Sequence, residues 1–239
     1  HDLGHIAAEY RYSMMPDYIY PERNIQFEKT LVSTGTNYEG IHTMENAAFE
    51  FENETWGKLL VIAFEFAPRD EALDWARQLI ESDRFKNHTV IILTHSFLLN
   101  NGERIVNEGY KLTPRNWAQA VWDKLVYPSK NIKLVLCGHT GTPPQMNGSE
   151  KVDYHTTTAC RVDPAADGHK VVQMMFNSQS GDGSWNGNGG DCWLRILEFK
   201  PDGKTIGIRT FSPLFALSRR TQHMAWRTDA YDQFSITIE

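Results

Sequence analysis

The sequence predicts an α/β protein in which a mostly parallel core is joined to a second, antiparallel sheet. Three observations carry that prediction. Residues 59–64 and 90–93 are continuous apolar runs of strand length, and 132–136 is apolar but for Lys133, the pattern of strands buried on both faces. The stretches between these runs carry helical apolar spacing, which implies strand–helix–strand units. The last third of the chain changes to short strand-like runs separated by turn residues, as in antiparallel sheets.

Each element has its own signal. Ala72, Leu73, Trp75, Ala76, Leu79 and Ile80 share one helical face, and Asp70 and Glu71 suit the positive end of the helix dipole. Thr113-Pro114 predicts the start of a second helix, with Thr as cap and Pro at the first helical position; Trp117, Ala120, Val121 and Leu125 would line its buried face. Runs 171–176, 193–199, 205–210 and 234–238 predict strands, and Pro201-Asp202-Gly203 turns one of them back on the next as a hairpin. Residues 1–56 read as an irregular, polar insertion punctuated by Pro16, Pro21 and Gly35. The expected organisation is a single domain over 1–239, with the irregular 1–56, a βαβαβ half over 57–145 and a β-rich half over 146–239.

Composition narrows the function classes. The 239 residues include 24 Lys and Arg against 30 Asp and Glu, a formal charge of −6, which argues against a scaffold for nucleic acid. A phosphorylated substrate stays open, because a bound cation can supply local positive charge. No apolar run has the length of a membrane span, and no signal peptide is visible. Cys137, Cys160 and Cys192 are too few and too widely spaced for a zinc knuckle or a disulfide framework. The chain opens on His1-Asp2-Leu3 rather than Met, so its natural start is expected to lie upstream.

The residues that carry chemistry are two histidines. His95 follows the run 90–93, and His139 follows 132–136 with Gly138 just before it to let the backbone turn. In open α/β sheets, ligands bind beyond the carboxyl ends of the strands. Two imidazoles delivered there by separate strands can meet at one metal ion. Glu65 and Arg69 follow another buried strand to the same expected edge and are candidate substrate contacts. With Asp70 they also fit a plain charge cluster at a helix start. Tyr10, Tyr12, Tyr18, Tyr20 and Tyr38 crowd the first segment, either packed on the domain or rimming a pocket for a sugar or organic group. The glycine-rich stretch 181–191 reads as a hairpin loop, and His155, His169 and His223 as solvated.

Thr94-His95-Ser96 and Cys137-Gly138-His139-Thr140 resemble the last two metal-binding motifs of calcineurin-like metallophosphoesterases. His1-Asp2 resembles the end of that family's Gly-Asn-His-Asp/Glu motif. Asn177-Ser178-Gln179, Gly189-Gly190-Asp191, Trp193-Leu194-Arg195 and Phe211-Ser212-Pro213 follow in the order seen in its secreted bacterial members. The resemblance covers nearly the whole chain, and it rests on the order and spacing of short motifs.

It implies a four-layer fold, two β-sheets between helices, with the N-terminal portion missing. It also implies hydrolysis of phosphate mono- or diesters by two divalent or trivalent ions (Mn, Fe or Zn). His95 and His139 would be metal ligands, His1 the acid for the leaving alkoxide, Asp2 its orienting partner and Gln179 a substrate contact. The location implied is periplasmic or extracellular. The family's opening Asp-x-His and Gly-Asp-x-x-Asp motifs have no counterpart ahead of His95, and the second histidine of Gly-His-x-His is Gly141 here. Two histidines alone should not hold a two-metal centre. The chain by itself is therefore expected to be inactive or weakly active, its remaining ligands coming from a missing segment of the same protein or from another chain. The alternatives are a non-catalytic module that binds carbohydrate or another surface, and a degenerate phosphoesterase scaffold.

Overall fold

The structure is a computed structural model that describes residues 9–141, 145–146, 152–179 and 189–238. The chain enters through two short surface helices, α1 (Met15–Tyr18) and α2 (Ile25–Thr30). Asn24 caps the second, its Oδ1 accepting from Gln26 N at 3.0 Å. Then come β1 (Leu31–Thr36), β2 (His42–Asn53), β3 (Gly57–Ala63), α3 (Asp70–Glu81) and β4 (Thr89–Leu93). A one-turn helix α4 (Ala118–Val121) runs on into a wider π turn, Trp122–Val126, and leads to β5 (Ile132–Cys137). The β-rich part holds β6 (Gln145–Met146), β7 (Val152–Asp153), β8 (Thr158–Pro164), β9 (Lys170–Phe176), β10 (Leu194–Phe199) and β11 (Thr205–Phe211). The chain closes with the short α5 (Pro213–Ala216), β12 (Trp226–Arg227) and β13 (Phe234–Thr237).

Seven strands form one sheet in the order β1-β2-β3-β4-β5-β9-β8; the small sheet runs β10-β11-β12, with β13 also paired to β11. Strands β3, β4, β5 and β9 are mutually parallel, and β1, β2 and β8 are antiparallel additions at the two sides. Strict alternation explains the continuous apolar runs. Leu60, Ile62, Val90, Ile92 and Val135 point to the face covered by Ala72, Leu73, Ala76 and Ile80 of α3 and by Val121 and Leu125. Ile91, Leu134, Val172 and Met174 point the other way, onto Ile206, Ile208 and Ile236 of the small sheet. Every second residue of a core strand therefore serves a different interface, and each fully buried aliphatic side chain contributes about 1.5–3 kcal/mol.

The two sheets and the flanking helices are those the sequence predicts. The second helical layer is slight: the helices that follow β5 in the chain are one-turn pieces among the described residues. Turn 201–203 is the predicted hairpin. Asp202 Oδ1 accepts from Lys204 N and Thr205 N at 3.1 and 2.9 Å, and Gly203 stands at φ +70° with Thr55 O against it. Cys137, Cys160 and Cys192 are free thiols. No helix among the described residues is long and apolar enough to cross a membrane.

Two expectations are corrected. Residues 1–56 are not wholly irregular, because β1 and β2 lie within them. Strand β2 buries Glu45 and Asn46, polar residues that hide it from a search for apolar alternation. Asn46 is satisfied in place: its Nδ2 donates to Thr36 O at 3.3 Å and its Oδ1 accepts from Glu65 N at 3.1 Å. The helix predicted from Thr113-Pro114 begins only at Ala118. Residues 113–117 are bound instead to the loop after β3, with Asn116 N and Nδ2 both donating to Pro68 O, at 3.0 and 2.9 Å. Trp117 itself is extended, at ψ 170°, so a continuous helix cannot start before Ala118.

Candidate active site at the carboxyl edge of the parallel strands

Hydrogen bonding between β3, β4 and β5 continues past their ends. Phe64 N donates to Leu93 O, Thr94 N to Leu136 O and Gly138 N to His95 O, each at 3.0 Å. The residues that follow are therefore carried out side by side. The His95 and His139 rings meet with their centroids 4.6 Å apart and their planes at 51°. Phe66, from the third strand, packs on both, 5.4 Å from His95 and 5.8 Å from His139. Tyr110 lies 5.2 Å from Phe66 and 5.7 Å from His139, and Trp117 lies 5.8 Å from Phe66. One side of the histidine pair is thus an aromatic wall.

Backbone geometry fixes His139. Its φ is +67°, a left-handed conformation uncommon for a residue with a side chain. Asn177, just past β9, holds that turn by donating Nδ2 to His139 O at 3.0 Å and to Thr140 O at 3.1 Å. Thr140 Oγ1 donates to Leu98 O on the neighbouring loop. Gly138 lets β9 approach, since a Cβ there would stand 3.2 Å from Phe176 O.

The charge at the site comes from Glu108. Its Oε1 is 3.2 Å from His139 Nε2, and its Oε2 accepts from Ser96 Oγ at 3.0 Å. Tyr110 Oη stands 3.4 Å from the same Nε2. Burial raises the Tyr110 phenol above its ordinary value, and the Glu108 carboxylate acts in the same direction, so the hydroxyl keeps its proton. Glu108 and Tyr110 belong to a stretch without periodicity or motif, and no signal in the sequence points to them.

Imidazole and carboxylate are donors that Mn, Fe and Zn all accept. Among the described residues, no group of three or more His, Cys, Asp or Glu is disposed to hold an ion. The residues present fit part of one coordination shell and do not complete a two-metal centre.

No family model matches the chain. It is 22% identical over 245 residues to the uncharacterised protein YvnB of Bacillus subtilis (strain 168), covering 100% of this chain and 16% of that protein. Among solved structures it is similar to a provisionally named 5'-nucleotidase of Staphylococcus aureus, crystallised with alpha-ketoglutarate. There the identity is 14% and the TM-score 0.29, over 62% of this chain and 31% of that one; a superposition so loose bears on neither fold nor activity. This chain spans only 16% of the length of its curated relative.

The other predicted residues fall in different places. His1 and Asp2 lie outside the described residues. Glu65 and Arg69 pair with each other, Nε to Oε1 at 2.9 Å, with side chains only 9% and 5% exposed. Arg69 also donates Nη2 to Thr36 O at 2.6 Å. The pair shapes the loop that carries Phe66, and its charges are turned inward. Asp70 accepts from Lys124 Nζ and Asn116 Nδ2, at 2.7 and 2.9 Å. Gln179 is exposed, and its backbone N donates to Asn177 Oδ1 at 3.0 Å, beside the His139 brace.

Asp167-Gly168-His169 spells the Asp-x-His pattern, but it makes the β8–β9 turn. His169 Nδ1 lies 2.5 Å from Asp167 Oδ1 and its Nε2 lies 2.9 Å from Ile132 O, at the opposite end of β5. Its side chain is 11% exposed, so the solvated reading of His169 is corrected.

Proposed function

We propose that this chain is the part of a metal-dependent phosphoester hydrolase that supplies two imidazole ligands, His95 and His139. The observation that carries the reading is the meeting of those rings, 4.6 Å apart, at the carboxyl edge of adjacent parallel strands. The order of motifs around them supports it. A bound pair of Mn, Fe or Zn ions would supply the activated hydroxide and the charge that a phosphoester needs.

On this reading, the chain's own residues contribute as follows. Glu108 orients His139, as a carboxylate behind a ligating imidazole does. Phe66, Tyr110 and Trp117 exclude water from one side, which strengthens electrostatic interactions there. The Glu65–Arg69 pair serves as a frame for Phe66, and Gln179, exposed beside the Asn177 brace, is assigned as a substrate contact by the motif order. His1 protonates the leaving oxygen and Asp2 orients it. Arg11 brings that segment near: its Nη1 donates to Phe66 O at 2.7 Å and its Nη2 to Ala67 O at 2.6 Å. The remaining ligands come from another segment of a longer protein or from another chain, and a periplasmic or extracellular location belongs to the same reading.

Calorimetric titration with Mn²⁺ and Zn²⁺ tests the ligand assignment. Binding should weaken at least about tenfold in His95→Ala and in His139→Ala, with circular dichroism unchanged. Uptake by both variants equal to that of the unsubstituted chain would refute it.

A second reading is a carbohydrate-binding module, favoured by the exposure of Tyr10, Tyr12 and Tyr18, at 60%, 57% and 58%. Glycan binding that survives chelation would choose that reading.

A further inference from the structure

The two sheets differ in width, and the difference leaves a slot between them. Residues directly opposite in an antiparallel pair share a face, and β8 and β9 set Val162 against Val172 and Cys160 against Met174. Val172 and Met174 are buried against the small sheet, so Cys160 and Val162 look to the same side. The small sheet does not extend over them: Val162 is 51% exposed, and Cys160 is exposed as well. Strand β8 is the outermost of the seven, and it overhangs the border strand β13.

The concavity under this overhang has a volume of about 850 Å³, within the range of small-molecule sites. Cys160, Val162, Lys170 and Val172 line it from the large sheet, and Phe234 and Ile236 from the small one. Buried Val172 and Ile236 make an apolar floor, and exposed Val162 makes the rim. Lys170 alternates with Val172 along β9 and so shares its face. It is exposed, and it is the only charged residue in the lining. The acid closest to it in sequence, Asp167, is taken by His169 at 2.5 Å. The chain as a whole carries a formal charge of −6, so a hollow whose lining charge is positive stands apart from it and is complementary to an anion.

We propose that this slot binds a free amphipathic carboxylic acid. Its apolar chain lies on Val162, Val172, Phe234 and Ile236, and its carboxylate meets the Lys170 ammonium. The walls supply apolar surface to desolvate a chain, and Lys170 alone among the lining residues can neutralise a charge. The assignment is independent of the phosphoester reading and needs no metal ion.

Decanoate, below its micellar concentration, is the probe, compared with butyrate, decanol and decyltrimethylammonium. Cys160 reports occupancy through its rate of alkylation by iodoacetamide, read by peptide mass spectrometry. Cys192, also a free and exposed thiol, is the internal control. Saturating decanoate should slow alkylation of Cys160 and spare Cys192. Decanoate should bind at least about 100-fold more tightly than butyrate, through its additional methylenes, and about tenfold more tightly than the decyl cation. Lys170→Met keeps the length of the side chain; it should weaken decanoate about tenfold and leave decanol unchanged. Val162→Asp should weaken both. Both positions are exposed, and circular dichroism confirms that each variant is folded. Cys160 left unprotected by decanoate, equal affinity for decanoate and the decyl cation, or binding that neither variant changes overturns the proposal. Slower alkylation of Cys160 at high protein concentration without any probe overturns it too, and gives the slot to a second copy of the chain. Protection by phosphatidylglycerol vesicles and not by decanoate overturns it in favour of a membrane surface.

Discussion

At the scale of single residues, the site depends on two unusual placements. His139 occupies a left-handed backbone position, and Asn177 is what holds it there. Replacing Asn177 by Ala removes two hydrogen bonds from carbonyls and should destabilise the protein by about 1–2 kcal/mol. If His139 is a metal ligand as proposed, the same change should lower metal affinity, because His139 loses its brace. Denaturant melts and metal titration on one sample check both effects; a stability loss with metal affinity intact would separate the brace from the site. The second placement is the Glu65–Arg69 pair. Arg69→Met leaves Glu65 as a buried carboxylate that keeps the backbone N–H of residue 69, at 2.9 Å, and the more distant Arg11 guanidinium, at 3.8 Å. A loss of about 3–5 kcal/mol is expected, read from the shift in the urea midpoint. Both residues were visible in the sequence as charges after a strand, but their inward orientation was not. It depends on Thr36 O and Asn46, which the chain brings close only by folding β1 and β2 beside β3.

At the scale of elements, the β8–β9 hairpin carries a polar cluster on the helix-facing side of the sheet. Asp163 on β8 receives Arg104 Nη2 at 2.5 Å and Gln173 Nε2 at 2.8 Å, and Arg104 stacks on Trp122 with its Cζ 3.6 Å from the ring centroid. Burial alone would raise the Asp163 carboxyl. Hydrogen bonds from Arg161 and Gln173, with the charges of Arg104 and Arg161, outweigh it and hold the carboxyl below its ordinary value. The folded value thus lies below the unfolded one of about 3.9. The stabilisation is complete above about pH 4 and is lost as pH falls through the folded value. Asp163→Asn should cost about 2–3 kcal/mol at neutral pH and flatten the acid limb of a stability–pH curve measured by thermal melts. An unchanged acid limb would remove Asp163 from the account. Strand β8 itself was missed in the sequence, because its side chains alternate between half-buried and exposed and include Arg161 and Asp163. An edge strand needs little apolar signal when ionic contacts cover its inner face.

At the scale of the whole molecule, the large and small sheets share one apolar interface. Ile208 is fully buried within it, together with Ile91, Leu134, Val172 and Met174 of the other sheet. Ile208→Ala should therefore destabilise both sheets together, by about 3 kcal/mol. Far- and near-ultraviolet circular dichroism should still report one coincident transition. Two separated transitions would show that the sheets fold independently.

What the sequence determined by itself is the strand–helix–strand order of 59–136, the β10–β11 hairpin and the two histidines at strand ends. Each of these follows from local periodicity, or from a residue type placed next to a strand, and such signals survive without knowledge of neighbours. Tertiary structure alone decided that the imidazoles meet, that Glu108 and Tyr110 join them, that Arg69 turns inward and that residues 113–117 form loop instead of helix. Those outcomes turn on which distant backbone carbonyl or carboxylate captures a donor, and that competition is settled only when the parallel strands register and bring their ends to a common edge.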